Sequence, residues 1–338
     1  MRHSQTEKME VIRLVEESAL SVKRTLEELD IPRSTFYTWY RQYTEDGYDG
    51  LSDGKPQPKK FWNRIPDVVK DQVVEIALER TGDSPRELAW HITDTYSYYI
   101  SESSVYRILK SYDLITSPAY IVISAADRFK NPTKGIHELW QTDFSYFRIT
   151  GWGWYYLSTV MDDYSRYILA WKLSANMTAN DVIETLDMAR AKTGINRVRI
   201  HHKPRLLSDN GPCYLSKELK TYLEDRDMKH TRGKRYHTQT QGKIERYHRS
   251  LKNVINLQHY YLPGALEKEI ERFVQYYNNQ RYHEALNNLT PADVFFGNNR
   301  EKLTMRDMIK RETMKLRRVY NLGKGGLKKQ LQFIKTTP

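Results

Sequence analysis

The sequence predicts a multidomain chain: two N-terminal all-α helix-turn-helix modules, then an α/β core, then a small basic C-terminal region able to form a β-hairpin. Three observations predict it. Apolar residues recur at helical spacing through the first part of the chain, the period changes from 3.6 to 2 beyond residue 136, and strand-like runs then alternate with helical ones. The 338 residues are enough for two or three domains, and their net charge of +12 points to a polyanionic partner.

The first module occupies residues 1–49. Met9, Ile12, Leu14 and Val15, then Val22, Leu26 and Leu29, then Phe36, Trp39 and Tyr40 mark three short helices, with breaks near Ser18 to Ser21 and Asp30 to Thr35. Pro32 can start the third helix, whose first turns expose Arg33, Ser34, Thr35, Tyr37 and Arg41, the side chains a DNA-reading helix needs. Residues 50–64 combine Gly, Pro and Lys without periodicity and read as a linker that lays Lys59 and Lys60 on phosphate.

A second three-helix set fills residues 65–115. Its first helix spans about 66–80. Its second opens at Ser84-Pro-Arg-Glu87, which has a capping-box spacing and Pro at the first helical position. Its third starts at Ser101 and presents Ser103, Ser104, Arg107 and Lys110. A single trihelical pattern reads most simply as a solvated bundle. Two in tandem, in a basic chain, favour DNA binding. Residues 116–135 form a second irregular connector.

The core covers 136–299. Strands at 139–149, 154–162 and 166–173, separated by Gly151-Trp-Gly and Asp163-Tyr-Ser, imply three antiparallel strands in a row. A helix over 178–192, a strand at 205–208, a helix over 216–225, a strand near 229–231 and a helix over 240–257 complete the order β-β-β-α-β-α-β-α. In the basic 300–338 region, 314–322 and 327–334 bracket Gly323-Lys-Gly-Gly as a hairpin; a tail without fixed structure is the alternative.

Cys213 is the only cysteine, which excludes an intramolecular disulfide and a multi-cysteine zinc site. No signal-peptide core and no apolar stretch of membrane-spanning length is present, so a soluble, intracellular chain is expected.

Three acids stand in surroundings that suit metal-assisted phosphoryl transfer. Asp143 lies within the first strand, on the face opposite Thr142 and Phe144, where an ionised acid needs a metal or a partner. Asp209 follows the apolar pair Leu206 and Leu207 and precedes Asn-Gly-Pro, at the carboxyl end of a strand; Asp-Asn-Gly is equally a turn sequence. Glu245 is the only acid between Lys229 and Lys252, among Lys229, Arg232, Lys234, Arg235, Lys243, Arg246, Arg249 and Lys252. Arg249 and Lys252, four and seven residues later, share its helix face and can grip phosphate. Two divalent ions held roughly 4 Å apart by shared carboxylates can activate water or a 3′-hydroxyl for phosphodiester chemistry and stabilise the leaving oxygen. Hard oxygen ligands select magnesium or manganese.

The set resembles the retroviral-integrase-like, RNase H-fold core of bacterial insertion-sequence transposases of the DDE class, in the branch with helix-turn-helix modules in front. The resemblance covers about 137–297. It rests on His137-Glu-Leu-Trp-Gln-Thr-Asp143, Asp162-Asp-Tyr-Ser-Arg166, Ser208-Asp209-Asn-Gly-Pro, His237-Thr-Gln-Thr-Gln-Gly-Lys-Ile-Glu245-Arg and Tyr276-Tyr-Asn-Asn-Gln-Arg-Tyr-His283, with 35 residues between Asp209 and Glu245. It implies that Asp143, Asp209 and Glu245 are the catalytic residues and the ligands of two Mg2+ or Mn2+ ions. It also implies that the N-terminal modules read terminal inverted repeats in double-stranded DNA, and that 3′-hydroxyls freed by nicking are joined to target DNA. A homo-oligomer, dimer or tetramer, would act in a synaptic complex in the bacterial cytoplasm, associated with the nucleoid. One departure from retroviral integrases is the missing His-His-Cys-Cys zinc module, which a single cysteine rules out. The competing functions are a transposase-derived DNA-binding repressor and an RNase H-fold nuclease.

Among other candidates, Asp162 and Asp163 are expected to make a turn and an ion pair with Arg166. His201 and His202 are expected in a surface loop. Tyr276 to His283 reads as aromatic packing with a basic rim or as a DNA clamp. Most of the seven tryptophans belong to core; Trp152 and Trp154 on a hairpin are the exceptions.

Overall fold

Ser4 starts the first helix: its hydroxyl accepts from the Glu7 N–H while the Glu7 carboxylate accepts from the Ser4 N–H at 2.7 Å, a capping box that fixes α1 at Gln5–Glu17. Helices α2 (Val22–Glu28) and α3 (Arg33–Gly50) follow, the turn between them passing through Asp30 at φ 54°. Ile12, Val15, Leu26, Ile31, Phe36 and Trp39 close their shared core. At Gly47 (φ 65°) the last stretch of α3 leaves helical geometry. In the computed structural model the described residues are 3–52, 61–115, 133–195, 203–233 and 241–322. The chain divides into two compact units, Met1–Phe61 and Trp62–Pro338.

In the second unit, α4 (Asp67–Glu79), α5 (Pro85–Tyr96) and α6 (Glu102–Ser111) form the second trihelical set around Val69, Val73, Ile76, Leu88, Ile92 and Val105. The expected capping box at Ser84 and Glu87 is present, and the Ser101 hydroxyl caps α6 by accepting from the Ser104 N–H.

A five-stranded sheet follows, in spatial order β3-β2-β1-β4-β5. Its strands are β1 (Leu139–Ile149), β2 (Gly153–Asp162), β3 (Ile168–Ser174), β4 (Arg205–Ser208) and β5 (His230–Arg232). The first three pair antiparallel; β4 joins β1 in parallel, and β5 joins β4 in parallel. Gly151 and Gly153, at φ 83° and 91°, supply the left-handed backbone that the β1–β2 turn demands.

Strand alternation divides the core in two. Trp140, Val160 and Leu169 pack with α7 (Ala179–Thr193) and α8 (Lys217–Glu224). Phe147, Ile149, Leu157 and Met161 pack with α9 (Gly242–Ile255) and α10 (Pro263–Asn279). The order β-β-β-α-β-α-β-α expected from the sequence is the order found. Aromatic packing, rather than an open clamp, accounts for Phe273 and Tyr277, both buried in α10, with His283 edge-on to Tyr277.

The C-terminal region departs from expectation. After α11 (Pro291–Phe295), residues 314–322, expected as the first strand of a hairpin, belong to a long helix, α12 (Asn299–Leu322); the second expected strand lies outside the described residues. The reason is what α12 buries. Arg306 donates to both Asp94 carboxylate oxygens at 2.7 Å, and Lys302 pairs with Asp293 at 2.9 Å. Thr313 accepts from the Tyr99 N–H, and Arg317 donates to the Tyr98 hydroxyl and the Tyr99 carbonyl. These fully bonded polar side chains clip the second trihelical set, through α5, to the end of the sheet domain.

Candidate active site

Asp143 sits midway along β1, opposite Thr159 of β2, on the face that α9 covers. Its Oδ1 accepts from the Phe144 N–H at 2.9 Å, and its Oδ2 lies 3.3 Å from Nδ1 of His248, a buried residue of α9. The other ring nitrogen of His248 is 3.3 Å from the Thr159 hydroxyl. Strand and helix are thereby joined through the carboxylate itself.

Asp209 comes directly after β4, where the parallel pairing ends. Its Oδ1 accepts from the Gly211 N–H at 2.8 Å, an Asx turn of the kind Asp-Asn-Gly favours. A Cβ at Gly211 would stand 3.0 Å from that oxygen, so the close approach depends on glycine. Asn210 anchors the turn by donating to the Gly233 carbonyl at 2.8 Å. Glu245 lies in the first turn of α9, exposed.

The charge of Asp143 reaches both of the other acids. Burial raises the Asp209 carboxyl above the ordinary range, with Asp143 adding to the rise against the opposing Gly211 N–H. Glu245 is raised for the same first reason, again reinforced by Asp143, while Arg249, His248 and Arg246 pull it down. The neighbouring Cys213 thiol is pushed up to about 11 by burial and then by Asp209 and Asp143. A cluster of hard oxygen donors whose charges repel one another is chemically suited to magnesium or manganese, and these three residues are the ones that could hold it. Among the described residues no three acidic, histidine or cysteine side chains already converge tightly enough to hold an ion as they stand.

The cations divide by surroundings. Arg246 and Arg249 are exposed on α9, and the Lys252 ammonium lies 4.0 Å from the Tyr146 ring centre. Lys243 points inward instead, donating at 2.8 Å to both the carboxylate and the carbonyl of Asp163. Lys59, Lys60, Lys234 and Arg235 lie outside the described residues, as do His201 and His202. On the helical modules, Arg33, Ser34, Tyr37 and Arg41 of α3 are exposed with Thr35 half-buried; on α6, Ser103, Arg107 and Lys110 are exposed and Ser104 is half-buried in the cap.

Asp162 and Asp163 make the expected turn, and Asp163 adds an ion pair with Lys243. Asp162 is fully buried and accepts from the His137 N–H and from both the N–H and hydroxyl of Ser165. Asp163 accepts from Gln141, Thr133 and Lys243. The pairing of Asp163 with Lys243 spans 80 residues and locks the base of α9 to the sheet. Sequence reasoning missed this lock and also His248. The available signal for His248 was its place three residues after Glu245, one helical turn along.

Comparison with known proteins finds related domains along the chain. Residues 135–238 and 226–291 each match an integrase core domain family, and residues 2–52 and 35–109 match homeodomain-like domains. The chain is 24% identical over 271 residues to the putative transposase InsK for insertion sequence element IS150 of Escherichia coli K12, covering 79% of this chain and 91% of that protein. It is 26% identical over 159 residues to the transposase InsF for insertion sequence IS3A of the same organism, 46% of this chain and 53% of the relative. Among solved structures, the HTLV-2 integrase catalytic core domain in complex with magnesium aligns with 48% of this chain and 97% of its own, at 20% identity and a TM-score of 0.37.

Proposed function

We propose that this chain, which carries an integrase core domain and is similar to insertion-sequence transposases, binds the terminal inverted repeats of its own mobile element and frees and transfers DNA 3′ ends at Asp143, Asp209 and Glu245. The observation that carries the reading is convergence in the fold. Asp143, in the middle of β1, lies within electrostatic reach both of Asp209 at the carboxyl end of β4 and of Glu245 in the first turn of α9, beside the exposed cations of α9.

Divalent magnesium or manganese, two ions per site, would supply the Lewis acidity that activates the attacking oxygen and steadies the leaving one. The chain's own part is positioning. The Phe144 N–H and His248 orient the Asp143 carboxylate, and the Gly211 N–H orients that of Asp209. Arg246, Arg249 and Lys252 are placed to hold the phosphates flanking the reacting one. End recognition falls to α3 and α6, through Arg33, Ser34, Thr35, Tyr37 and Arg41 and through Ser103, Ser104, Arg107 and Lys110, with Lys59, Lys60, Lys234 and Arg235 as phosphate contacts. The division at 1–49, 65–115, 136–299 and 300–338 belongs to the same reading, as does a homo-oligomer that brings two ends together on DNA in the cytoplasm. No helix among the described residues is long and apolar enough to cross a membrane.

The test is strand transfer by the purified full chain with magnesium, labelled duplexes carrying the flanking inverted repeat, and a plasmid target, beside Asp209→Asn. Joined products lost in the variant are expected. End-specific binding without cleavage or joining by the native chain would favour a DNA-binding repressor, and joining that persists in Asp209→Asn would remove the triad.

A further inference from the structure

The β1–β2 hairpin carries aromatic surface that neither the core nor the triad uses. Tyr146 is 57% exposed and Trp154 52% exposed, in a sheet whose other large apolar residues are mostly buried on both faces. The two rings meet edge to face with centres 5.5 Å apart. The Lys252 ammonium sits 4.0 Å from the Tyr146 ring centre, and exposed Arg148 is paired across the hairpin with Trp154. Rings braced in this way lose little side-chain entropy when something stacks on them.

The patch lies a short way along β1 from the acids, with the Tyr146 side chain on the sheet face opposite that of Asp143. Tyr146 is three residues beyond Asp143 on the same strand, about 10 Å at strand rise. Lys252 is seven residues beyond Glu245 on the same helix, again about 10 Å. The two axial offsets are alike, and the Lys252 ammonium, reaching the Tyr146 ring beyond the last β1–β4 pair at Gln141, links the α9 side of the sheet to the face that carries the patch. One strand of DNA advances about 3.4 Å per nucleotide, so that offset corresponds to about three nucleotides.

We infer that Tyr146 and Trp154 form a stacking platform for an unpaired nucleobase of the DNA end, about three nucleotides from the phosphate held at the triad. The inference rests on the proposed DNA-joining reading and extends it to a subsite. A base inside a duplex has both faces covered by its neighbours, so a ring outside the helix can stack only on a terminal or splayed base. Lysine and arginine beside the rings suit the phosphates of that same nucleotide strand. The rival occupant is a second copy of this chain, which would have to set Lys252 and Arg148 against another chain of net charge +12.

The experiment measures binding of two inverted-repeat duplexes to the full chain in the Asp209→Asn background, without divalent metal. One duplex is blunt; the other has its last three base pairs mismatched. Trp154→Ala and Tyr146→Ala are expected to weaken binding to the splayed duplex by about tenfold or more while leaving the blunt duplex within about twofold, and Trp154→Phe is expected to restore most of the loss. A 2-aminopurine three nucleotides from the end should be quenched by the parent and brighter in Trp154→Ala. Equal losses on both duplexes, or no loss together with a smaller particle by light scattering, would overturn the platform, the second outcome assigning the patch to contact between copies. Because binding is read without turnover, a native chain that fails to join DNA yet keeps the Trp154-dependent preference would sink the strand-transfer reading and leave the platform standing.

Discussion

Two groups of acids belong to the sheet domain, and they are built in opposite ways. Asp162 and Asp163 are buried and receive donors on all sides: backbone N–H groups, Ser165, Thr133, Gln141 and the Lys243 ammonium. Asp209 and Glu245 have few donors and one another's company through Asp143, and burial with that repulsion raises them both. The first arrangement stabilises a fold by satisfying buried charge. The second leaves charge uncompensated where a cation can answer it.

Exchanging one kind of acid for its amide should therefore separate function from stability. Asp209→Asn is expected to reduce strand transfer by about three orders of magnitude or more, with DNA-end binding intact by mobility shift; joining within tenfold of the native chain would erase the contrast. Asp163→Asn should behave the other way, lowering unfolding free energy by about 3–5 kcal/mol because a carboxylate–ammonium pair with little solvent access is broken. Urea denaturation reads this directly, and a loss below about 1 kcal/mol would mean that solvent reaches Lys243.

His248 belongs between the two groups, since it is buried like the structural acids yet bonded to Asp143. His248→Ala is expected to raise the magnesium concentration needed for half-maximal joining by about 10- to 100-fold, with partial rescue in His248→Gln, as for other residues that orient a ligand from behind. An unchanged magnesium requirement would make it packing alone.

A smaller effect concerns the metal-free chain. A carboxyl raised by folding binds its proton more tightly in the native state than in the unfolded one, so its charge penalises the fold. The penalty is absent below the ordinary carboxylate range, grows as pH rises toward the raised values of Asp209 and Glu245, and is complete at neutral pH. Asp209→Asn should thus raise Tm by about a degree at pH 7 without metal, and the further rise expected on adding magnesium should be smaller than in the native chain. A lower Tm in Asp209→Asn would show that the Gly211 turn outweighs the repulsion. Smallest of all, Arg249→Ala should reduce the salt dependence of DNA binding by about one phosphate contact, measured as the slope of log K against log salt.

How legible all this was follows from how local each signal is. The Asx turn at Asp209 is written in three consecutive residues, and the shared face of Glu245, Arg249 and Lys252 in one helical period, so both could be read directly. The Asp163–Lys243 lock and the His248–Asp143 contact each join a strand to a helix about a hundred residues away or nearly so, and no local pattern encodes which helix docks on which face. The C-terminal helix was hidden for a different reason. Its buried side includes Arg306, Thr313 and Arg317, so hydropathy registers no core-facing stripe, while Gly323-Lys-Gly-Gly offers a persuasive turn.

That polar seam makes α12 sensitive to length as well as to composition. One residue inserted between Lys302 and Arg306 would rotate everything after it by about 100° and advance it by about 1.5 Å. Arg306 would leave Asp94, and Thr313 and Arg317 would turn away from the Tyr98–Tyr99 backbone together. An apolar stripe can slip and repack under such a change, because one methyl group serves nearly as well as another. A row of directional bonds has no neighbouring register to fall into, so this seam tolerates substitution at single positions better than any shift in phase.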